Sequence, residues 1–131
     1  MIKAGQKSRI APAAEGKILY CENDAKVLAA QSAMFEKAGY NVERAEGRVA
    51  AEQALRKGGF DVVVLGHTLT KDDRHHLPYM AKKGNGDTQV LVLHASGKHP
   101  AVDFAMDSRD GEKAVLDGLR MLAEQKYSLV V

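Results

Sequence analysis

The segment Phe60 to Thr70, FDVVVLGHTLT, decides the fold. Val62, Val63, Val64 and Leu65 form an unbroken apolar run, opened by Asp61 and closed by Gly66. Three consecutive β-branched residues disfavour helix and favour extended chain. The lack of polar alternation predicts a strand covered on both faces, as in parallel sheets. Burial of each such side chain stabilises a fold by roughly 1.5–3 kcal/mol, so this run anchors the core. Ligands of open α/β sheets bind just past the carboxyl ends of such strands. That rule places Gly66 and His67 where function is to be sought.

On the N-terminal side, Arg48 to Lys57 predicts a helix that offers Val49, Ala50, Gln53, Ala54 and Leu55 to the core and stops at Gly58 and Gly59. Before it, YNVERA (Tyr40 to Ala45) alternates apolar and polar, the pattern of a half-covered edge strand. The preceding helix begins near Ala25, carries a stripe of Val27, Leu28, Gln31, Met34, Phe35 and Ala38, and ends at Gly39. Asp24 or Asn23 serves as its cap. KILYC, Lys17 to Cys21, is the first strand, followed by Glu22, Asn23 and Asp24.

On the C-terminal side, Thr70 predicts an N-cap with Asp73 at capping-box spacing. Pro78 lacks an N–H and clashes with the Arg74 carbonyl, so a kink or restart is expected there. QVLVLH (Gln89 to His94) is the fourth strand, ASGKHPAV (Ala95 to Val102) a loop, and Phe104 to Met106 a short fifth strand. A last helix follows, capped by Ser108 or Asp110, with Val115, Leu119 and Leu122 on its buried stripe. Strands alternating with helices imply a mostly parallel sheet with helices on both faces. The domain is expected to span 17–125, with a flexible N-terminal tail at 1–16 and a C-terminal tail at 126–131.

A chain of 131 residues suits one domain and is too short for two. A net charge of +2 gives no electrostatic footprint for nucleic acid. The single cysteine, Cys21, rules out an intrachain disulfide and fits a reducing compartment. No apolar stretch approaches the roughly 20 residues needed to span a bilayer, and the basic N-terminus has no apolar h-region. The expected location is the cytoplasm, away from membranes.

The segments KILYCEND, FEKAGYNVERAEG, FDVVVLGHTL, TQVLVLHAS and FAMDSRDGEKAVLDGLRML together resemble the receiver domain of bacterial two-component response regulators. The resemblance runs from about Lys17 to Glu124, roughly four-fifths of the chain. It implies a flavodoxin-like, doubly wound, parallel five-stranded sheet of order 2-1-3-4-5. It also implies phosphoryl transfer from a histidine kinase to an aspartate at the end of the third strand. An acidic pair after the first strand would help to hold Mg²⁺, a hard cation that requires oxygen ligands. A hydroxyl residue after the fourth strand and a lysine after the fifth would contact the phosphoryl oxygens.

Carried onto this sequence, the acceptor aspartate falls on Gly66, the acidic pair on Glu22 and Asn23, the hydroxyl on His94 and the lysine on Asp107. His67 completes this remnant pocket. Acceptor, hydroxyl and cation are all replaced. The fourth of the family's five helices is expected to be shortened or absent, reduced to Ala95–Val102. Since that helix, the fifth strand and the last helix usually carry the output face, dimerisation through the usual surface is in question. The expectation is a degenerate receiver that acts through protein contacts, without aspartyl phosphorylation and without a cofactor. Its partner would be a histidine kinase or another regulator, with a homodimer also open, and the domain would be stand-alone or part of a larger regulator.

Three other readings compete. Cys21, Glu22, His67 and His94 lie near the carboxyl ends of central strands and are suitable metal-ligand types, although no dense ligand motif is present. A displaced acceptor would have to be Asp72, Asp73 or Asp61. The first two sit in the first turn of a helix, where negative charge is favourable, and Asp61 is at the wrong end of its strand. A nucleotide-binding or catalytic flavodoxin relative would need a Gly/Ser/Thr-rich loop after the first strand, and CENDAKV has none. No GxSxG elbow occurs either, so the chain is read as a non-enzyme. His75 and His76 are neighbours on a helix, point about 100° apart, and are expected on a solvated face.

Overall fold

The computed structural model describes residues 16–93, 99–107 and 110–128. Its elements run β1 (Lys17–Glu22), α1 (Ala25–Lys37), β2 (Asn41–Glu46), α2 (Gly47–Lys57), β3 (Val62–Leu65), α3 (Lys71–Gly84), β4 (Gln89–Leu93), β5 (Phe104–Met106) and α4 (Glu112–Ser128). The five strands form one parallel sheet in the order β2-β1-β3-β4-β5. This is the doubly wound, flavodoxin-like arrangement expected from the sequence. The tail expected at 1–16 lies, but for Gly16, outside the described residues, as do His94 and Ser108.

β3 sits at the centre, and its four residues are buried. Because side chains alternate across a strand, the apolar run feeds two cores. On one face Leu19, Cys21, Val63, Leu65, Val90 and Val92 pack with Ala51, Ala54 and Leu55 of α2 and Leu77 and Ala81 of α3. On the other, Ile18, Tyr20, Val62, Val64, Leu91 and Leu93 pack with Leu28 and Phe35 of α1 and Val115, Leu119 and Leu122 of α4. β2 is the half-covered edge expected from its alternation.

The caps follow the sequence signals. Asp24 is the N-cap of α1, its carboxylate accepting from the N–H groups of Lys26 and Val27 at 2.8 and 3.0 Å. Thr70 caps α3 by accepting from the Asp73 N–H at 3.1 Å. The last helix departs from the expectation: α4 begins at Glu112, two residues beyond Asp110, so Gly111 rather than Asp110 precedes it, its carbonyl accepting from the Val115 N–H at 3.3 Å.

The restart at Pro78 and the burial of Val49 do not occur, for physical reasons. Pro78 neither ends nor restarts its helix, because α3 runs through it from Lys71 to Gly84. The proline deprives only the Arg74 carbonyl of its helical donor. Leu77, Pro78 and Ala81 are all buried, so packing on the sheet holds the helix on either side of the defect. Val49 is the second: it is 69% exposed rather than in the core. α2 instead buries Ala51, Ala54 and Leu55, a stripe that leaves Gln53 outside.

The connection from β4 to β5 spans residues 94–103, and its described part, residues 99–103, is a turn closed by Val102 N–H to the His99 carbonyl at 3.2 Å. Among the described residues no helix lies between β4 and β5. Among the described residues no helix is long and apolar enough to cross a membrane.

Ser32 of α1 is fully buried, and its Oγ has no hydrogen-bond partner among the described residues. A buried polar atom without a partner costs about 1–3 kcal/mol. Ser32→Ala is expected to raise the melting temperature by about 4 °C or more, as measured by thermal denaturation followed by circular dichroism. A lowered melting temperature would show that the hydroxyl contributes to the fold.

Candidate functional site

The parallel register of β1 on β3 pairs Tyr20 with Val64 and Cys21 with Leu65. One step further, Gly66 N–H bonds to the Cys21 carbonyl at 2.9 Å, which sets Glu22 beside Gly66. Glu22 shares a face of β1 with Tyr20, by the alternation of strand side chains. Its side chain is fully buried and leans across the end of β3.

That carboxylate is satisfied from three directions. The Tyr20 hydroxyl donates to Oε2. Thr68 donates to Oε1 twice, through its backbone N–H at 2.9 Å and its hydroxyl at 2.6 Å. The Thr68 hydroxyl in turn accepts from the N–H groups of Asn23 and Asp24 at 2.8 and 3.1 Å. Thr68 Oγ1 thus has one donated and two accepted bonds, the full capacity of a hydroxyl. Through it Glu22 fastens the β1–α1 loop to the β3–α3 loop. The Tyr20 ring is fixed from behind by an edge-on contact with Phe35 at 5.2 Å between centroids.

Gly66 is required here for its size. A Cβ at this position would lie 1.8 Å from Glu22 Cδ and 1.9 and 2.2 Å from its two carboxylate oxygens. No side chain fits while Glu22 keeps its place. His67 lies just outside, its Nδ1 4.0 Å from Glu22 Oε2 and its side chain 38% exposed. The His67 carbonyl accepts from Arg74 at 3.5 Å.

Of the six residues expected in the pocket, Glu22, Gly66 and His67 come together. Asn23 joins them through its backbone, and its side-chain oxygen turns towards Gly47, 3.9 Å from where a Cβ would stand there. Asp107 follows β5, two strands away from β3. His94 lies outside the described residues. Thr68 and Tyr20 were not singled out from sequence. The signal for Tyr20 was present, since Tyr-x-Glu at the end of an apolar strand puts both groups on one face. Thr68 had no such signal, because its role depends on how the loop after Gly66 folds back over β1.

The metal reading does not assemble as expected. Cys21 belongs to the core between the sheet and α2 and α3, whereas Glu22 faces the opposite side, so the two cannot ligate one ion. Among the described residues no group of three or more His, Cys, Asp or Glu side chains is placed to hold a metal. Asp72 and Asp73, considered as displaced acceptors, lie in the first turn of α3; Asp73 is buried, with Arg48 Nε 3.8 Å from its carboxylate. Asp61 accepts from the Lys17 N–H at 2.9 Å, at the far end of the strand.

The fold has known counterparts. No family model matches the chain, and no curated protein matches it by sequence. Among solved structures it is similar to the response regulator receiver domain protein of Methanospirillum hungatei JF-1, at a TM-score of 0.76 and 14% identity, over 87% of this chain and 98% of that one. It is similar to the response regulator receiver protein of Sinorhizobium medicae WSM419, at a TM-score of 0.74 and 16% identity, over 86% and 97% of the two chains. A third is the receiver domain of a sensor histidine kinase from Pseudomonas aeruginosa PAO1, solved with a magnesium ion in its active-site cleft. It matches at a TM-score of 0.69 and 13% identity, over 82% and 97% of the chains. The fold is thus that of receiver domains.

Burial pushes the Cys21 thiol well above its usual range, and the neighbouring Glu22 charge adds to this. The Tyr20 phenol is pushed up too, by burial first and then by its hydrogen bond to Glu22. Both groups keep their protons more tightly folded than unfolded. They contribute stability that is intact below the ordinary values of 9.0 and 10.0 and is lost as pH rises past them. The denaturation midpoint is expected to fall steeply above about pH 9, and less steeply in Tyr20→Phe. Cys21 is expected to resist a disulfide-exchange reagent until the chain is unfolded. Rapid labelling of the native protein would contradict the burial of the thiol.

Proposed function

We propose that the chain is a receiver-like module of two-component signalling that acts through protein contacts and without aspartyl phosphorylation. One observation carries the reading: Glu22 fills the space in which a side chain at position 66 would begin. A phosphoryl acceptor must present a nucleophilic oxygen to solvent at the strand tip. Here the tip is Gly66, and the nearest carboxylate is fully buried and already hydrogen-bonded to Tyr20 and Thr68. The module is not an enzyme in this reading. Its partner is a histidine kinase or another regulator, or a second copy of the chain, met in the cytoplasm. The similar receiver domains that belong to a sensor histidine kinase and to an HD-domain protein support a role inside a larger signalling assembly.

Incubation with acetyl phosphate and Mg²⁺ is expected to leave the intact mass unchanged. A stoichiometric phosphoryl adduct that maps to a carboxylate would overturn the proposal. Gly66→Asp tests the steric argument directly. It is expected to destabilise the fold by about 3 kcal/mol, the cost of overpacking a filled site. Glu22→Ala alone is also expected to destabilise, by about 2 kcal/mol, because the Tyr20 and Thr68 donors lose their acceptor. In the double variant the two costs should fall short of their sum by about 1 kcal/mol or more. Additive costs in urea denaturation would mean that the two positions do not compete for one space.

A further inference from the structure

α1 and α4 cover the same side of the sheet, since Leu28 and Phe35 of the first share a core with Val115, Leu119 and Leu122 of the second. Between the two helices runs an open groove with about 490 Å³ of space. Met34 and Leu116 form its floor, half-buried and packed on that core. Ala30 and Ala33 of α1 line it and are exposed. The outer side of a surface helix is ordinarily charged or polar. From Ala29 to Phe35, however, α1 has no charged residue, and its exposed residues there are Ala29, Ala30 and Ala33.

Two charges of opposite sign flank the groove, Lys37 in the last turn of α1 and Glu112 in the first turn of α4. Neither has an ion-pair partner among the described residues. By contrast, Glu36 pairs with Arg44 at 3.4 Å, and Lys113 and Arg120 pair with Asp117 at 3.0 and 3.9 Å. A groove with an unpaired cation on one helix and an unpaired anion on the other is complementary to itself. In a two-fold dimer the same patch meets itself, so a contact from one residue to another occurs twice. A two-fold axis lying in this face, midway between the charges, sets each Lys37 over the partner's Glu112. Ala30 and Ala33 have no side-chain atom beyond Cβ, so they let a second helix approach closely.

We propose that the groove between α1 and α4 is a self-association surface whose occupant is a second copy of this chain, docked about a two-fold axis. Exposed ion pairs add little net affinity; they fix orientation and reject wrong partners. Covering Met34, Leu116 and the alanines supplies the attraction, and the two Lys37–Glu112 pairs set the register. The stretch of α1 that lines the groove, Ala30 to Ala38, is about 12 Å long. That is short for a stable interface of roughly 800 Å² on each partner, so the dimer is a weak one that forms and parts with concentration. The inference names one partner for the contact module proposed above. It is read by mass and not by phosphorylation, so either reading can fail alone.

The test is sedimentation equilibrium of the full chain from micromolar to near-millimolar concentration, with thermal denaturation as the check that each variant is folded. The unmodified chain is expected to pass from monomer to dimer across this range. Ala33→Arg puts a long cation in the groove without disfavouring helix, and should stay monomeric. Lys37→Glu sets carboxylates opposite each other at both symmetric contacts and should weaken association about tenfold or more. Glu112→Lys should do the same with two pairs of ammonium groups. Combining Lys37→Glu with Glu112→Lys should recover the association. An unmodified chain that stays monomeric throughout would overturn the proposal and leave the groove to another segment of the chain or to a different protein. A folded Ala33→Arg that still dimerises, or a double exchange that recovers nothing, would overturn it as well.

Discussion

The bond network around the Glu22 carboxylate is the constraint from which the rest of the strand-tip structure follows. A fully buried carboxylate is tolerated only when donors surround it, and Tyr20 and Thr68 provide them. To meet both, the side chain must lie across the end of β3. Lying there, it takes the space above Gly66 and excludes every other residue from that position. The glycine is thus tied to the carboxylate, and the space above it is filled by a group anchored to the core through Tyr20 and Phe35.

How far the sequence reveals this varies by residue. The central strand was legible because four consecutive apolar residues allow few alternatives, and the strand order followed from the family resemblance. The caps at Asp24 and Thr70 were legible because capping is local chemistry. Val49 was misread since an alanine-rich helix offers two weakly distinct faces, and the tertiary contact of Ala51, Ala54 and Leu55 chooses between them. The helix continues through Pro78 because Leu77, Pro78 and Ala81 pack against the sheet on either side of it. At the site, Glu22, Gly66 and His67 were found by their place at the tips of β1 and β3. Thr68 was missed, since nothing in a sequence states that a hydroxyl will bridge two loops that are 46 residues apart. Cys21 and Glu22 cannot share one ion because of period two: they are adjacent in sequence and opposite in space.

The two ends of α3 are held differently. Its N-terminus sits beside the Glu22 network, through Thr68, the Thr70 cap and the buried Asp73 near Arg48. Further along, its His75 carbonyl and its Lys82 ammonium hold the β4–β5 connection. These side-chain ties place the described part of the connection, residues 99–103, against α3 and β4, with Asp103 also accepting from the Val90 N–H.

A receiver fold changes state when something binds one conformation better than another. In the proposed reading, where the strand tip does not accept a phosphoryl group, that bias comes from a partner. The demand on a partner is quantitative: moving a two-state equilibrium from 1:99 to 99:1 takes a preference of about 10⁴-fold for the favoured state. A large protein interface can supply this. In that reading the filled pocket holds the ground state of the domain, and an interface of that strength would be what moves it.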